Sequence, residues 1–310
     1  MKKKAKILFP LFGLLLSIFG IHVSAEQIPM PIREPLPSNE TRSNAVSVSG
    51  ISSYSFTDNK ELEIPLEKIP KSVSTNSEAF IPRGVSVEPM FRQIIGVDNR
   101  TRVTNTTSFP NSAIGQMVIT FPNNKQYVGT TWMEGNKVAV TAGHTVYSKA
   151  DGGWAKRVVF YPGRNGGLSP LGVYYATQLY TDTKYVASEN SNYDWGMLRF
   201  ATNVGAKTGY FGAEWTSSSQ VGLNITVRGY PGEKSGQLWT ASGNITGQVG
   251  YAKTNYLIDT TGGQSGAPAY YYVSGNYRAV GIHTNSYSSY NQAQRIDSSL
   301  FKIINNARSW

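Results

Sequence analysis

From residue 94 to the C-terminus the sequence predicts an all-β fold of two packed barrels, closed by a single α-helix. Three observations carry that reading. Short apolar runs at 117–121, 137–141, 158–161, 195–200, 224–230, 267–273 and 278–283 alternate with Gly, Asn and Ser turns, the texture of paired antiparallel strands. Tyrosine, valine and threonine are used heavily, and these residues suit a pleated, half-buried surface. Helical periodicity is convincing only at the end, over 297–307. There Asp297 or Ser298 can cap the first turn, and Leu300, Ile303, Ile304 and Ala307 fall on one apolar stripe. Runs 267–273 and 277–283, joined by Ser274-Gly275-Asn276, read as a hairpin. The seam between the barrels is expected near 200–210.

The first 92 residues read differently. Lys2, Lys3, Lys4 and Lys6 precede an apolar run over 7–21 and the small residues Ser24-Ala25. That is the pattern of a secretory signal peptide over residues 1–25, and the run is short for a membrane span. Residues 26–92 are polar and marked by Pro29, Pro31, Pro35 and Pro37. In an exported protein they read as a pro-segment. The domain proper is then 93–310, long enough to bury a core.

Composition narrows the chemistry. The chain has no cysteine, which excludes disulfides, a thiol nucleophile and thiolate zinc sites. The net charge of +10 divides into +4 over residues 1–25, −2 over 26–92 and +8 over 93–310. No three consecutive Lys or Arg occur after residue 25, so nucleic-acid binding is not expected and the basic body reads as a solvated surface. No dense cluster of acidic oxygens suggests calcium, and neither metal nor cofactor is expected.

The chemical signal is the glycine-framed serine in Gly262-Gly263-Gln264-Ser265-Gly266-Ala267-Pro268. A serine hydroxyl attacks only when a base takes its proton and N–H groups hold the developing oxyanion. His22 belongs to the signal peptide, leaving His144 and His283. His144 follows the run 137–141 in Thr141-Ala142-Gly143-His144, at a strand end where catalytic groups sit on a rigid scaffold. Asp194, in Asn192-Tyr193-Asp194-Trp195-Gly196, leads into an apolar strand and suits an acceptor that orients the base. Each also has a plainer reading, a structural histidine or an aspartate at a strand-edge turn.

Those motifs, in the order His, Asp, Ser, resemble the chymotrypsin-fold serine endopeptidases, and more closely the secreted glutamyl endopeptidases of bacilli and staphylococci. The likeness spans about residues 93–310 and includes 95–103, Tyr161-Pro162-Gly163-Arg164-Asn165-Gly166, Thr208-Gly209-Tyr210-Phe211-Gly212, Gly229-Tyr230-Pro231-Gly232 and 280–285. It implies two antiparallel six-stranded β-barrels. It also implies Ser265 as nucleophile, His144 as base and then acid, Asp194 as its orienter, and the N–H groups of Gly263 and Ser265 as the oxyanion hole. His283 and Thr260 match the positions that contact the substrate glutamate, through a protonated or hydrogen-bonding imidazole and a hydroxyl. Asp259 stands six residues before Ser265, where trypsin-like enzymes bind Lys or Arg. Relatives of this type carry the same aspartate, so it reads as structural here.

The resemblance places the mature start at Gln93, freed by a partner protease cutting after Arg92. In some relatives the new α-amino group helps bind the substrate carboxylate, which makes Gln93 a candidate; a glutamine that cyclises loses that charge. Relatives also often pair a cysteine after the histidine with one on the neighbouring strand, where this chain has Thr145 and Gly129. The expectation is a secreted, bacterial, monomeric serine endopeptidase made as a zymogen and acting on peptides after Glu, less well after Asp. It has no nucleic-acid partner and, once the signal is removed, no membrane partner. Two alternatives stay open: the same fold with another preference, such as Lys or Arg through Asp259, and a noncatalytic β-rich binding protein.

Overall fold

The computed structural model describes residues 50–66, 69, 74–79, 98–287 and 289–310. The signal peptide, the cut after Arg92 and Gln93 lie outside the described residues.

Eighteen strands and three helices are assigned among the described residues. In chain order they begin β1 (Gly50–Ser55), β2 (Lys60–Pro65), β3 (Thr101–Val103), β4 (Ile114–Thr120), β5 (Gln126–Met133), β6 (Val138–Thr141), β7 (Tyr147–Ser148), β8 (Gly153–Trp154), β9 (Arg157–Pro162) and β10 (Tyr174–Asp182). Next come α1 (Thr183–Ser188), β11 (Gly196–Phe200), α2 (Val204–Thr208), β12 (Gly212–Ala213), β13 (Asn224–Gly229) and β14 (Leu238–Val249). The chain ends with β15 (Lys253–Tyr256), β16 (Pro268–Val273), β17 (Asn276–Ser286), β18 (Asn291–Arg295) and α3 (Ser298–Ala307).

Six strands run β11-β6-β5-β4-β9-β10 and close because β10 also pairs with β11. Six more run β17-β16-β13-β14-β15-β18 and close through β17 and β18. Within these barrels every pairing is antiparallel. The two-barrel expectation is met. Closure joins the six strands of each cycle into a barrel, leaving only the part of β10 beyond Tyr175 unpaired on its β9 side within the cycle.

Phe211, from the loop between the barrels, fills the seam. Its ring lies 5.6 Å from Trp132 of the first barrel and 5.0 Å from Tyr270 of the second, with Phe109 at 5.7 Å. Helix α3 matches the sequence expectation. Asp297 accepts from the N–H groups of Ser299 and Leu300 at 2.9 and 2.8 Å, and Leu300, Ile303, Ile304 and Ala307 are buried. Beyond it Arg308 turns back to the first barrel and meets the buried Glu134 at 2.8 Å. Burial drives the Glu134 carboxyl up to about 7, against the opposing pull of Arg308 and Ser77. Helices α1 and α2 were not expected; at six and five residues they are too short to show a periodic stripe.

The larger surprise is upstream. Residues 50–65, read from sequence as part of a polar, proline-marked pro-segment, form a hairpin on the first barrel. Strand β10 pairs with β9 only at Tyr174 and Tyr175, and β1 takes up the rest of that edge, with Ile51 opposite Asp182 and Ser55 opposite Gln178. Tyr54 stacks on Trp154 at 6.2 Å, and Trp154 meets Tyr147 edge-on at 5.4 Å. A second stretch, 74–79, lies along β12. The Ser77 N–H donates to the Ala213 carbonyl at 2.8 Å, and the Trp215 N–H donates to Thr75 at 2.9 Å. A period-two signal was present in Leu62 and Ile64, set between charged neighbours after the turn residues Asp58-Asn59.

Ile51 is 0 % exposed. Ile51→Ala should weaken docking of the hairpin by about 2–4 kcal/mol. In the full chain it should raise amide hydrogen exchange across 50–65 and leave the barrel strands protected. Unchanged exchange across the hairpin would overturn this account of how it is held.

Candidate active site

Strand β6 is buried along its whole length and lies between β5 and β11, so its end is fixed in space. The chain then makes a tight turn at Gly143–Thr145. Thr145 Oγ1 donates to the Ala142 carbonyl at 2.7 Å and lies 3.0 Å from Thr141 Oγ1. The Thr145 methyl lies 3.5 Å from where a Cβ on Gly129 would stand. Thr145 is thus held in its turn by hydrogen bonds to Ala142 and Thr141.

His144 leaves that turn facing Asp194, which comes off the short turn Ser191–Tyr193 just before β11. Asp194 is 1 % exposed. Its Oδ1 accepts the His144 backbone N–H at 2.8 Å, and its Oδ2 lies 2.9 Å from His144 Nδ1. Burial alone would raise the carboxyl, but the charge and two hydrogen bonds of His144, with the nearby Lys253, bring it down to about 2. The stability this carboxylate contributes is therefore present above the ordinary value of 3.8 and is lost as pH falls toward 2. An ionised carboxylate can only accept, so His144 Nδ1 carries a hydrogen and donates it to Asp194. Nε2 is buried and has no hydrogen-bond partner among the described residues.

The serine loop is pinned from several sides. Ser265 O accepts from Thr130 N–H at 2.9 Å, and the Gly266 N–H donates to His283 O at 2.7 Å. The Gly263 carbonyl accepts from Thr130 Oγ1 at 2.9 Å. The N–H groups of Gln264, Gly266 and Ala267 are all engaged within the chain. Those of Gly263 and Ser265 are not, among the described residues. Two amide donors flanking Gln264 are thus left without an acceptor among the described residues, which is what an oxyanion site requires. Gly266 carries the loop past the histidine strand at φ +89°, and a Cβ there would stand 3.1 Å from Ala142 N.

His283, on β17, faces the same loop. Its N–H donates to Ala267 O at 2.8 Å, and the ring is buried, the residue being 2 % exposed. Burial first, then the charge His144 carries when protonated and that of Lys253, lower its pKa to about 3. Of the two expected forms, protonated or neutral and hydrogen-bonding, this burial favours the neutral one. Thr260 is half-buried, with Oγ1 3.2 Å from Ser286 Oγ. Asp259 Oδ2 accepts from the Asn99 N–H at 3.1 Å.

Sequence reasoning missed the supports. Arg100 reaches Gln264 Oε1 at 3.2 Å and Thr261 Oγ1 at 2.8 Å, tying residues 98–100 to the serine loop. Thr130 and the buried Lys253 were also not foreseen. Arg100 stood within a stretch shared with relatives, yet nothing in its spacing says which loop it grips.

No protein-family model matches the chain. Over 221 residues it is 40% identical to a Bacillus subtilis protein named extracellular metalloprotease, covering 70% of this chain and 69% of that one. Over 326 residues it is 33% identical to the glutamyl endopeptidase of Bacillus licheniformis, covering 98% and 97%. A solved Glu endopeptidase in complex with MPD superposes with TM-score 0.62 at 28% identity, over 70% of this chain and 100% of that one. The protease Anisep of Arthrobacter nicotinovorans shares the fold, with TM-score 0.59 at 21% identity, over 68% of this chain and 100% of that one. Among the described residues no three His, Cys, Asp or Glu side chains gather as a metal would need. The metal in the name of the B. subtilis relative therefore finds no ligand set among the described residues.

A Cβ on Gly266 would stand 2.1 Å from Thr130 O and 2.2 Å from Thr141 Oγ1. Gly266→Ala should cost about 3 kcal/mol or more and lower Tm by roughly 6–12 °C. An unchanged thermal unfolding curve would show that the loop is not locked as described.

Proposed function

The chain belongs to the glutamyl endopeptidase family, and from that premise we propose a serine endopeptidase that hydrolyses peptide bonds after glutamate, and less well after aspartate. The observation that supports the chemistry is the pair of uncommitted amides at Gly263 and Ser265, together with His144, whose Nδ1 is held by a buried carboxylate.

In this reading Ser265 Oγ attacks the scissile carbonyl carbon while His144 Nε2 takes its proton. The amides of Gly263 and Ser265 receive the oxyanion, and Asp194 steadies the imidazolium that forms. His144 then gives its proton to the leaving amine. The acyl-enzyme is hydrolysed when His144 takes a proton from water, the hydroxide oxygen adds to the acyl carbon, and Ser265 leaves with that proton. His283 and Thr260, with the α-amino group of Gln93 unless that residue has cyclised, would receive the glutamate carboxylate. Preference for Lys or Arg would need Asp259 facing substrate, and its carboxylate is engaged by Asn99.

The leader over 1–25 supports export, and the B. subtilis relative is itself named extracellular. Activation is read as removal of residues 26–92 by a protease of another specificity, since a glutamyl enzyme should not cut after Arg92. The active form is read as a monomer.

Peptides varied only before the cut test the specificity. Turnover should be fastest with Glu, and faster turnover of Lys or Arg would overturn the assignment. A serine-directed phosphonate should label the processed enzyme, and Ser265→Ala should abolish labelling and lower kcat by several orders of magnitude. Absence of labelling would favour a binding protein. The pH dependence follows from His283. A charged imidazolium would lose its grip on glutamate as pH rose through about 6.5. With its pKa at about 3, the ring is neutral throughout, so the Glu-to-Gln ratio of kcat/KM should stay within about twofold from pH 5.5 to 7. A tenfold fall over that range would contradict this.

A further inference from the structure

A neutral imidazole carries one ring hydrogen, and which nitrogen holds it decides what the ring can recognise. With hydrogen on Nε2, His283 donates toward a carboxylate. With hydrogen on Nδ1 it offers that carboxylate a lone pair, which repels an anion and suits the amide NH2 of glutamine instead.

The neighbour that decides is Tyr256, the last residue of β15. It is 0 % exposed, and its phenol oxygen lies 2.7 Å from His283 Nδ1. Among the described residues that nitrogen is the hydroxyl's one hydrogen-bond partner. Burial pushes the Tyr256 phenol well above its ordinary value of 10, so the oxygen keeps its hydrogen at any working pH. If Nδ1 were the donor, the phenol hydrogen would be buried with no acceptor, an arrangement folded proteins avoid. Tyr256 is therefore the donor and Nδ1 the acceptor.

Strand pairing fixes the arrangement. β15 and β17 both pair with β18, so Tyr256 and His283 stand on strands one apart in a closed barrel. Lys253, three residues before Tyr256 and 1 % exposed, lies 3.3 Å from Thr284 Oγ1. Its positive charge helps keep the His283 ring unprotonated.

We propose that Tyr256 is a positioning residue that fixes His283 in its Nε2–H tautomer, and so sets the preference for an ionised glutamate side chain over its amide isostere. The proposal rests on the reading of His283 as the donor to substrate. It adds the reason why a histidine too buried to be charged can still select an anion.

Two measurements on the processed, active enzyme test it. NMR of histidine labelled with nitrogen-15 reports directly which ring nitrogen bears the hydrogen. In the unaltered protein His283 should carry it on Nε2, with Nδ1 bare and hydrogen-bonded. In Tyr256→Phe the Nδ1–H form should appear. Peptides differing only as Glu or Gln before the cut give the second readout. Tyr256→Phe should lower kcat/KM for the Glu peptide about tenfold, chiefly through KM, and lower the Glu-to-Gln ratio at least about threefold. Stoichiometric phosphonate labelling checks that the variant is folded.

The proposal is overturned if the unaltered protein shows Nδ1–H, or if a folded Tyr256→Phe keeps both tautomer and ratio. Should the variant not fold, the tautomer in the unaltered protein decides. Failure of the unaltered enzyme to prefer Glu would sink the functional reading instead, a result distinct from the NMR outcome.

Discussion

Thr130 is where the two barrels are stitched together, and the candidate site depends on that stitch. It lies fully buried on β5 and uses every polar group it has. Its N–H donates to Ser265 O and its Oγ1 to Gly263 O, both at 2.9 Å. The same hydroxyl accepts from the Tyr230 N–H at 3.0 Å, while its carbonyl accepts from Thr141 Oγ1 at 2.9 Å. One residue thus ties the serine loop of the second barrel to the strand of the first that delivers His144. A buried hydrogen bond left unmade costs more than a formed one gains. Four at one position therefore define the relative placement of nucleophile and base more sharply than the surrounding apolar contacts could.

Around that stitch the charges follow one logic. Asp194 is buried yet ionised, because His144 gives it two donors and a positive charge when protonated. The His283 pKa is lowered first by burial and then by the same positive surroundings that hold the Asp194 carboxylate ionised, which favours its neutral form. The two histidines are thereby assigned different work, one to proton transfer and the other to hydrogen-bond recognition. Thr145, packed against Gly129 and bonded to Ala142, holds the histidine turn without a covalent clamp. Relatives that use a disulfide there gain about 2–5 kcal/mol from it; here that loss must be met by hydrogen bonds and packing.

The residues upstream of Arg92 are more than a leader. The hairpin β1–β2 completes an edge of β10 and rests its Tyr54 on Trp154, which in turn touches Tyr147, three residues past His144. The stretch 74–79 binds along β12 and covers Glu134 through Ser77. Both contacts add extended chain to exposed backbone, a mode that needs little sequence specificity because main-chain groups supply the bonds. That explains why residues 50–79 carry so weak a pattern of their own.

What the sequence determined by itself was whatever is written locally. Alternation and turn residues marked seven of the twelve barrel strands and the all-β class, but not β5, β10, β14, β15 or β18. The 3.6-residue stripe and Asp297 marked the final helix, and Gly262–Pro268 with Thr141–His144 marked the reacting groups. The glycines were legible because a loop that frees the Gly263 and Ser265 amides forces backbone angles that few other residues adopt. Only the tertiary structure decided the rest. Which loop Arg100 grips, which nitrogen of His283 Tyr256 contacts, and that Asp259 serves Asn99 all depend on residues 27 to 164 positions apart meeting in space. The protonation of His283 was undecidable from sequence for the same reason: desolvation is a property of the packed surroundings, and no single residue encodes it.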